Sequence, residues 1–259
     1  MNRIGAFVGE QTRTSRCDEH GEFESRCYGI GEAVIWTKCP ACTEAREAAQ
    51  RAIDDAKAAD DRSEKWRRQL GQAEIPERFQ DRTIDGFVAE SGPQRRAKAF
   101  AQEYAEGFDG VLKTGRCALF LGRPGTGKTH LAVGICRRAM EQHRTALFST
   151  VMRAIRRIKS SWHRSADETE DAAIKVFVEP DLLVLDEVGV QFGSETEQMY
   201  LFDILNERYE RRRPTILLSN LAVHDVQRYL GERVFDRLRE DGGAVIPFDW
   251  ESHRGRGAR

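Results

Sequence analysis

Gly122-Arg123-Pro124-Gly125-Thr126-Gly127-Lys128-Thr129 is a complete G-x-x-x-x-G-K-[ST] pattern. It follows the apolar run Cys117-Ala118-Leu119-Phe120-Leu121 and precedes apolar residues at helical spacing, Leu131, Ala132, Ile135, Cys136 and Ala139. Strand, glycine-rich turn and helix in that order make a phosphate-binding loop. The glycines let successive backbone N–H groups converge on a polyphosphate at the helix N-terminus. Lys128 adds a mobile cation for the β- and γ-phosphates, and the Thr129 hydroxyl can ligate Mg²⁺. His130 continues the cofactor-binding run into the helix. ATP and Mg²⁺ are therefore the expected ligands.

Further along, Leu182-Leu183-Val184-Leu185-Asp186-Glu187 reads as a buried strand ending in two carboxylates. Behind a phosphate loop, Asp186 would hold the Mg²⁺ coordination shell and Glu187 would orient or deprotonate the attacking water. A third apolar strand, Thr215-Ile216-Leu217-Leu218-Ser219, ends in Asn220, whose amide is placed to hold that water or sense the γ-phosphate. Asn is also a common turn residue at a strand end.

Elements alternate through this region. We expect a helix over 94–108, strand 117–121, helix 128–142, strand 145–149 and a basic helix 151–162. Strand 182–186, helix 196–212, strand 215–219, two short helices and a last strand at 244–248 follow. That order predicts an α/β domain with a parallel sheet covered on both faces and nucleotide at the strands' carboxyl ends.

The chain has 259 residues, enough for one medium core and a small appendage, and its 32% charged residues call for long exposed helices. No apolar run reaches membrane-span length, and Met1–Val8 lacks a sustained signal-peptide core, so a cytoplasmic protein with reduced cysteines is expected. The net charge of −1 gives no global reason to bind nucleic acid, so charge has to be read locally.

Three zones are expected: a metal-binding region at 1–43, a charged helical linker at 44–73 and the nucleotide-binding domain at 74–259. The first is turn-rich and holds four of the six cysteines. Cys17-Asp18-Glu19-His20 and Cys39-Pro40-Ala41-Cys42 form C-x-x-H and C-x-x-C knuckles, a four-ligand set for structural Zn²⁺ in a small zinc-ribbon-like domain. A zone this short has too little core to fold alone, so the metal would supply its folding energy. A redox C-x-x-C is the rival reading, but no thioredoxin-like strand pattern accompanies it. Cys27, between the knuckles, is a spare that could replace His20. Cys117 and Cys136 read as small core residues. The linker, beginning Glu44-Ala45-Arg46-Glu47, has few large apolar residues and reads as a spacer helix.

Taken with Arg213–Asn220 and Gly231-Glu232-Arg233-Val234-Phe235-Asp236-Arg237-Leu238, these motifs resemble the DnaC-type replicative helicase loaders. The closing Phe248-Asp249-Trp250-Glu251-Ser252-His253-Arg254 is similar to the end of those proteins as well. The resemblance covers roughly residues 75–256. It implies an AAA+ ATPase with a reduced or absent helical lid, which binds a DnaB-type helicase, delivers it to single-stranded DNA and forms homo-oligomers with ATP. It also assigns Asn220 to the sensor-1 position, Arg237 to the arginine finger reaching a neighbouring subunit, with Arg233 one turn before it, and Arg254 to sensor 2. The N-terminal cysteine pattern departs from the enteric loader and looks like that of phage and prophage DnaC-like proteins. An IstB-type transposition helper shares the ATPase motifs and is the alternative, as is a nucleotide-gated adaptor that barely hydrolyses ATP.

Between Arg137 and Arg164 eight cations face a single acid, Glu141. Arg153, Arg156, Arg157 and Lys159 fall on one expected helix. The resemblance places a single-strand DNA path there, with Trp162 or Phe148 available to stack on bases. The same helix also reads as a solvated face with Ile155 and Ile158 packed beneath it.

Overall fold

The computed structural model describes residues 11–30, 33–70, 73–163, 166–189 and 195–253. The chain divides into two compact units, Met1–Ala59 and Asp60–Arg259. The division falls inside the long helix α1, Pro40–Leu70.

In the first unit, β1 (Thr12–Cys17), β2 (Gly21–Ile30) and β3 (Ala33–Trp36) form an antiparallel sheet in that order. An antiparallel hairpin sheet is in keeping with a small zinc-ribbon-like region, although the sequence reading names no individual strands there. The strands escaped notice because Thr12-Arg13-Thr14-Ser15-Arg16-Cys17 has no apolar alternation. Cross-strand and side-chain contacts hold it instead. The Arg13 guanidinium lies 4.2 Å above the Trp36 ring, and the buried Ser25 hydroxyl donates to Thr37 O at 2.7 Å.

The second unit is a three-layer α/β structure around a parallel five-stranded sheet. Its strands are β4 (Ala118–Gly122), β5 (Ala146–Thr150), β6 (Leu182–Asp186), β7 (Thr215–Ser219) and β8 (Ala244–Phe248), in spatial order β5-β6-β7-β4-β8. All four pairings are parallel. Side chains alternate between the faces, as the strand period of two requires. Ala118, Phe120, Phe148, Val184, Ile216 and Leu218 enter one core; Leu119, Leu121, Leu147, Leu185 and Leu217 enter the other.

The first face is covered by α2 (Gly92–Glu106), α3 (Phe108–Thr114) and α4 (Lys128–Glu141). The second is covered by α5 (Val151–Ser160), α6 (Glu170–Val178), α7 (Glu195–Glu210), α8 (Val223–Leu230) and α9 (Glu232–Arg239). Helices α3 and α6 were not anticipated from the sequence. After Gly122 the chain crosses through α4 to the edge strand β5, leaving β7 between β4 and β6. That order matters for function, because it sets the end of β7 between the phosphate loop and the acidic end of β6.

One buried charge ties the second face together. Arg208 of α7, fully buried, donates to the carbonyls of Phe177, Val178, Pro180 and Pro214 and to Thr215 Oγ1 at 2.6–3.0 Å. It thereby caps the C-terminal carbonyls of α6, where the helix dipole favours a cation. Burial lowers its guanidinium to about 9, so it stays charged at neutral pH. Among the described residues no helix is long and apolar enough to cross a membrane.

Candidate functional site

The phosphate loop runs from the end of β4 into α4, and two of its glycines are required by close approach. Gly122 has φ of 142°, and a Cβ there would lie 2.1 Å from Phe248 O. Gly127 has φ of 96°, and its Cβ would meet the Phe87 ring at 2.5 Å. Within the loop, Thr126 Oγ1 donates to Arg123 O at 2.8 Å. Arg123 and Pro124 are exposed, so these two contribute backbone rather than an enclosed side chain.

The cleft over this loop has a volume of about 460 Å³ and brings Gly125, Gly127, Lys128, Thr129, His130, Asp186, Glu187 and Asn220 together. Lys128 Nζ donates to Gly122 O (2.6 Å), Arg123 O (2.8 Å) and Asn220 Oδ1 (2.8 Å). Thr129 Oγ1 donates to Asp186 Oδ2 at 3.0 Å, joining the helix start to the end of β6. A hydroxyl and a carboxylate so arranged are hard oxygen ligands that would suit Mg²⁺. Glu187 is exposed to the cleft, in the left-handed conformation at φ of 62°, with its N–H on Asp186 Oδ1 at 2.7 Å. That turn separates the two acids: Asp186 meets Thr129, and Glu187 lines the cleft as an exposed side chain.

His130 behaves differently from a phosphate-binding cation. Its Nε2–H donates to Thr83 O at 2.8 Å, its ring packs edge-on to Phe87 at 5.5 Å, and burial lowers its pKa. It is a neutral wall of the cleft. Arg78, Phe79 and Arg82, which precede α2, complete that wall. The sequence reading missed them because they lie far from any motif.

Residues 52–256 match the family model described as IstB-like ATP binding protein. The replicative helicase loader DnaC of Escherichia coli (strain K12) is 32% identical over 197 residues, covering 76% of this chain and 79% of that protein. The chain belongs to the IstB/DnaC family of ATP-binding proteins. The crystal structure of the DnaC helicase loader shares its fold, with a TM-score of 0.59 at 24% identity, covering 66% of this chain and 99% of that one. DnaI gives a TM-score of 0.58 at 18% identity, covering 70% and 95%. The fold is that of an AAA+ phosphate-loop NTPase.

In this IstB/DnaC-family chain Arg237 lies away from its own cleft. It lines a small cavity with Cys117 and Thr215, at the amino ends of β4 and β7, while Lys128 stands at the carboxyl ends. Its guanidinium stacks 4.7 Å from the Tyr209 ring and donates to Asn206 Oδ1. Arg233 is exposed. Arg254 lies outside the described residues.

The basic helix α5 buries Ile155 and Ile158 and turns its cations outward. They are not equivalent. Arg157 makes a two-pronged bond to Glu168 (3.1 and 2.9 Å) and Lys159 pairs with Glu197 at 2.9 Å. Arg153 and Arg156 are exposed and make no ion pair among the described residues. Phe148 is a buried core residue at 2% exposure, which corrects its candidacy for base stacking. Trp162 is 52% exposed, with its Nε1–H on Glu170.

In the first unit the tip of the β1–β2 hairpin carries Cys17 and His20, and the start of α1 carries Cys39 and Cys42. The four ligand atoms all lie within 4.8 Å of one another. Tetrahedral Zn²⁺ spaces thiolate and imidazole ligands about 3.5–3.8 Å apart. Here Cys17 Sγ–Cys42 Sγ is 3.5 Å, Cys17 Sγ–His20 Nδ1 is 3.7 Å and Cys42 Sγ–His20 Nδ1 is 3.2 Å. The donor set therefore fits one tetrahedral soft-metal ion with Nδ1 as the histidine ligand. Cys27 is buried on β2, outside this group, so His20 and not Cys27 is the fourth ligand candidate. The His20 hydrogen bond lowers Cys17 to about 6, and the Cys17 bond raises Cys42 to about 12.

Proposed function

We propose that this chain is an ATP-dependent helicase loader, which binds a hexameric DnaB-type replicative helicase and delivers it to single-stranded DNA. The carrying observation is the relationship to DnaC over 79% of that protein's length. ATP with Mg²⁺ binds over Gly122–Thr129, Glu187 activates the water, and Asn220 reports the γ-phosphate to β7. Arg237 completes the site of an adjacent subunit, so hydrolysis follows assembly. Hydrolysis then changes how tightly the loader holds helicase and DNA, because each nucleotide state favours a different conformation. Arg153 and Arg156 supply the first phosphate contacts to the strand.

Residues 1–43 act as a Zn²⁺-held module that docks the helicase, residues 44–73 as a helical linker and residues 74–259 as the ATPase, all in the cytoplasm. A transposition helper is the second reading, favoured by the family model's IstB-like description. Affinity purification from the native host separates the two. The loader reading requires a replicative helicase to co-purify in the presence of ATP, and co-purification of a transposase alone overturns it.

A further inference from the structure

Beyond β8 the chain turns back along the phosphate loop, and His253 joins the lining of the cleft. Arg123 N–H donates to Phe248 O at 3.0 Å, Trp250 Nε1–H to Thr126 O at 3.0 Å, and His253 N–H to Gly125 O at 2.9 Å. When a loop turns its N–H groups inward to an anion, the carbonyls of the same peptides face outward and need partners of their own. Two consecutive carbonyls of this loop are each met by a donor from the C-terminal segment. A peptide unit is planar and trans, so its C=O and N–H point in opposite directions. Holding Gly125 O outward aims the Thr126 N–H inward, and holding Thr126 O aims the Gly127 N–H.

The segment is itself anchored. Phe248 is fully buried, 5.2 Å from the Phe120 ring and 4.8 Å from the Trp250 ring. Gln94, 4% exposed, spends its Oε1 on the N–H groups of Glu90 and Ser91 at the start of α2. Its amide nitrogen is left to donate to His253 Nε2 at 3.1 Å, which fixes the imidazole proton on Nδ1. Helix α2 and β8 thus grip the segment at both ends.

We propose that Phe248–His253 is a strap that aims the phosphate-binding N–H groups, with Trp250 as a positioning residue, so that phosphate binding and strap seating are one coupled equilibrium. The proposal rests on Gly122–Thr129 being the nucleotide site. Phosphate in the loop favours the inward N–H geometry, that geometry presents Gly125 O and Thr126 O to the strap, and the reverse holds by reciprocity. The strap gives the chain's C-terminal end a direct mechanical link to the phosphates.

Calorimetric titration of ADP and of adenosine into the full chain tests this. Trp250→Phe keeps a ring against Phe248 but loses the indole N–H. It should weaken ADP binding about fivefold, the worth of one hydrogen bond, while adenosine binding is unchanged. ADP, but not adenosine, should also shift tryptophan emission in the wild type, and that shift should vanish in Trp250→Phe. His253→Pro removes the second donated N–H together with the imidazole held by Gln94, and should reproduce the ADP-selective loss. Wild-type ADP affinity in both variants reduces the strap to packing and overturns the proposal, as does an equal loss for ADP and adenosine. A wild type that binds neither ligand overturns the nucleotide reading itself.

Discussion

Asn220 Oδ1 accepts a hydrogen bond from Lys128 Nζ at 2.8 Å, although 92 residues separate them in the chain. The contact exists because β7 lies between β4 and β6, so the residue that follows it emerges beside the phosphate loop and next to the acidic pair. A γ-phosphate bound by Lys128 is thereby within reach of a strand end that packs on both cores.

From that geometry, Lys128→Ala should abolish ATP binding, whereas Glu187→Gln should bind ATP and lose hydrolysis. The first removes ground-state contacts to phosphate and the second only the group that activates water. Equilibrium binding of a fluorescent ATP analogue alongside phosphate release checks both. Unchanged turnover in Glu187→Gln would remove that residue from the mechanism.

The Cys17–His20–Cys39–Cys42 group predicts about one Zn²⁺ per chain by elemental analysis. Cys39→Ser should lose the metal and the fold of residues up to about 43, while ATP affinity is kept. Cys27→Ser should retain the metal, because Cys27 lies outside the ligand group. Well-folded wild type without metal, or metal loss in Cys27→Ser, contradicts the assignment.

Arg237 stands at the opposite end of the sheet from Lys128, so any role in hydrolysis requires a second subunit. Arg237→Ala should bind ATP normally and lose assembly-dependent hydrolysis, where such fingers are worth ~10³–10⁵ in rate. Mixing Arg237→Ala with Lys128→Ala should restore part of the activity, each chain supplying the half-site the other lacks. A mixture that stays inactive with both variants folded and assembled rules out the shared site.

On α5 the ion pairs separate the cations. Arg153→Ala with Arg156→Ala should lower the single-strand DNA salt slope by about one to two units, since each phosphate contact to a single strand contributes about 0.7. Arg157→Ala alone should have the smaller effect, because that side chain is already held by Glu168. Fluorescence anisotropy across a salt series checks the ranking. An unchanged slope in the double variant would make α5 a solvated face.

The ATPase core was legible in the sequence because its signals are local. Short apolar runs ending in Asp186, Ser219 or the phosphate loop mark strands buried on both faces, and the motif residues sit where those strands stop. Signals spread over distance were not legible. Arg208 lies in the charged run Glu207–Arg213 and reads as solvated, yet it is fully buried by carbonyls brought in from α6 and β7. Phe148 reads as available to bases until strand alternation is applied: it shares a face with Ala146, toward α4 and the core. Helix α6 did carry a readable start, Thr169 as N-cap with Glu170 and Asp171 in the first turn. The β1–β3 sheet had none, since its residues are chosen for a hairpin and a ligand cluster and not for a core.

The most direct measurement is delivery of the cognate DnaB-type helicase onto closed circular single-stranded DNA, read as unwinding of an annealed strand. With ATP, this protein should raise the unwinding rate, Lys128→Ala should fail to do so, and Cys39→Ser should bind ATP but deliver less helicase. Unwinding indifferent to the protein in every nucleotide state would contradict the account.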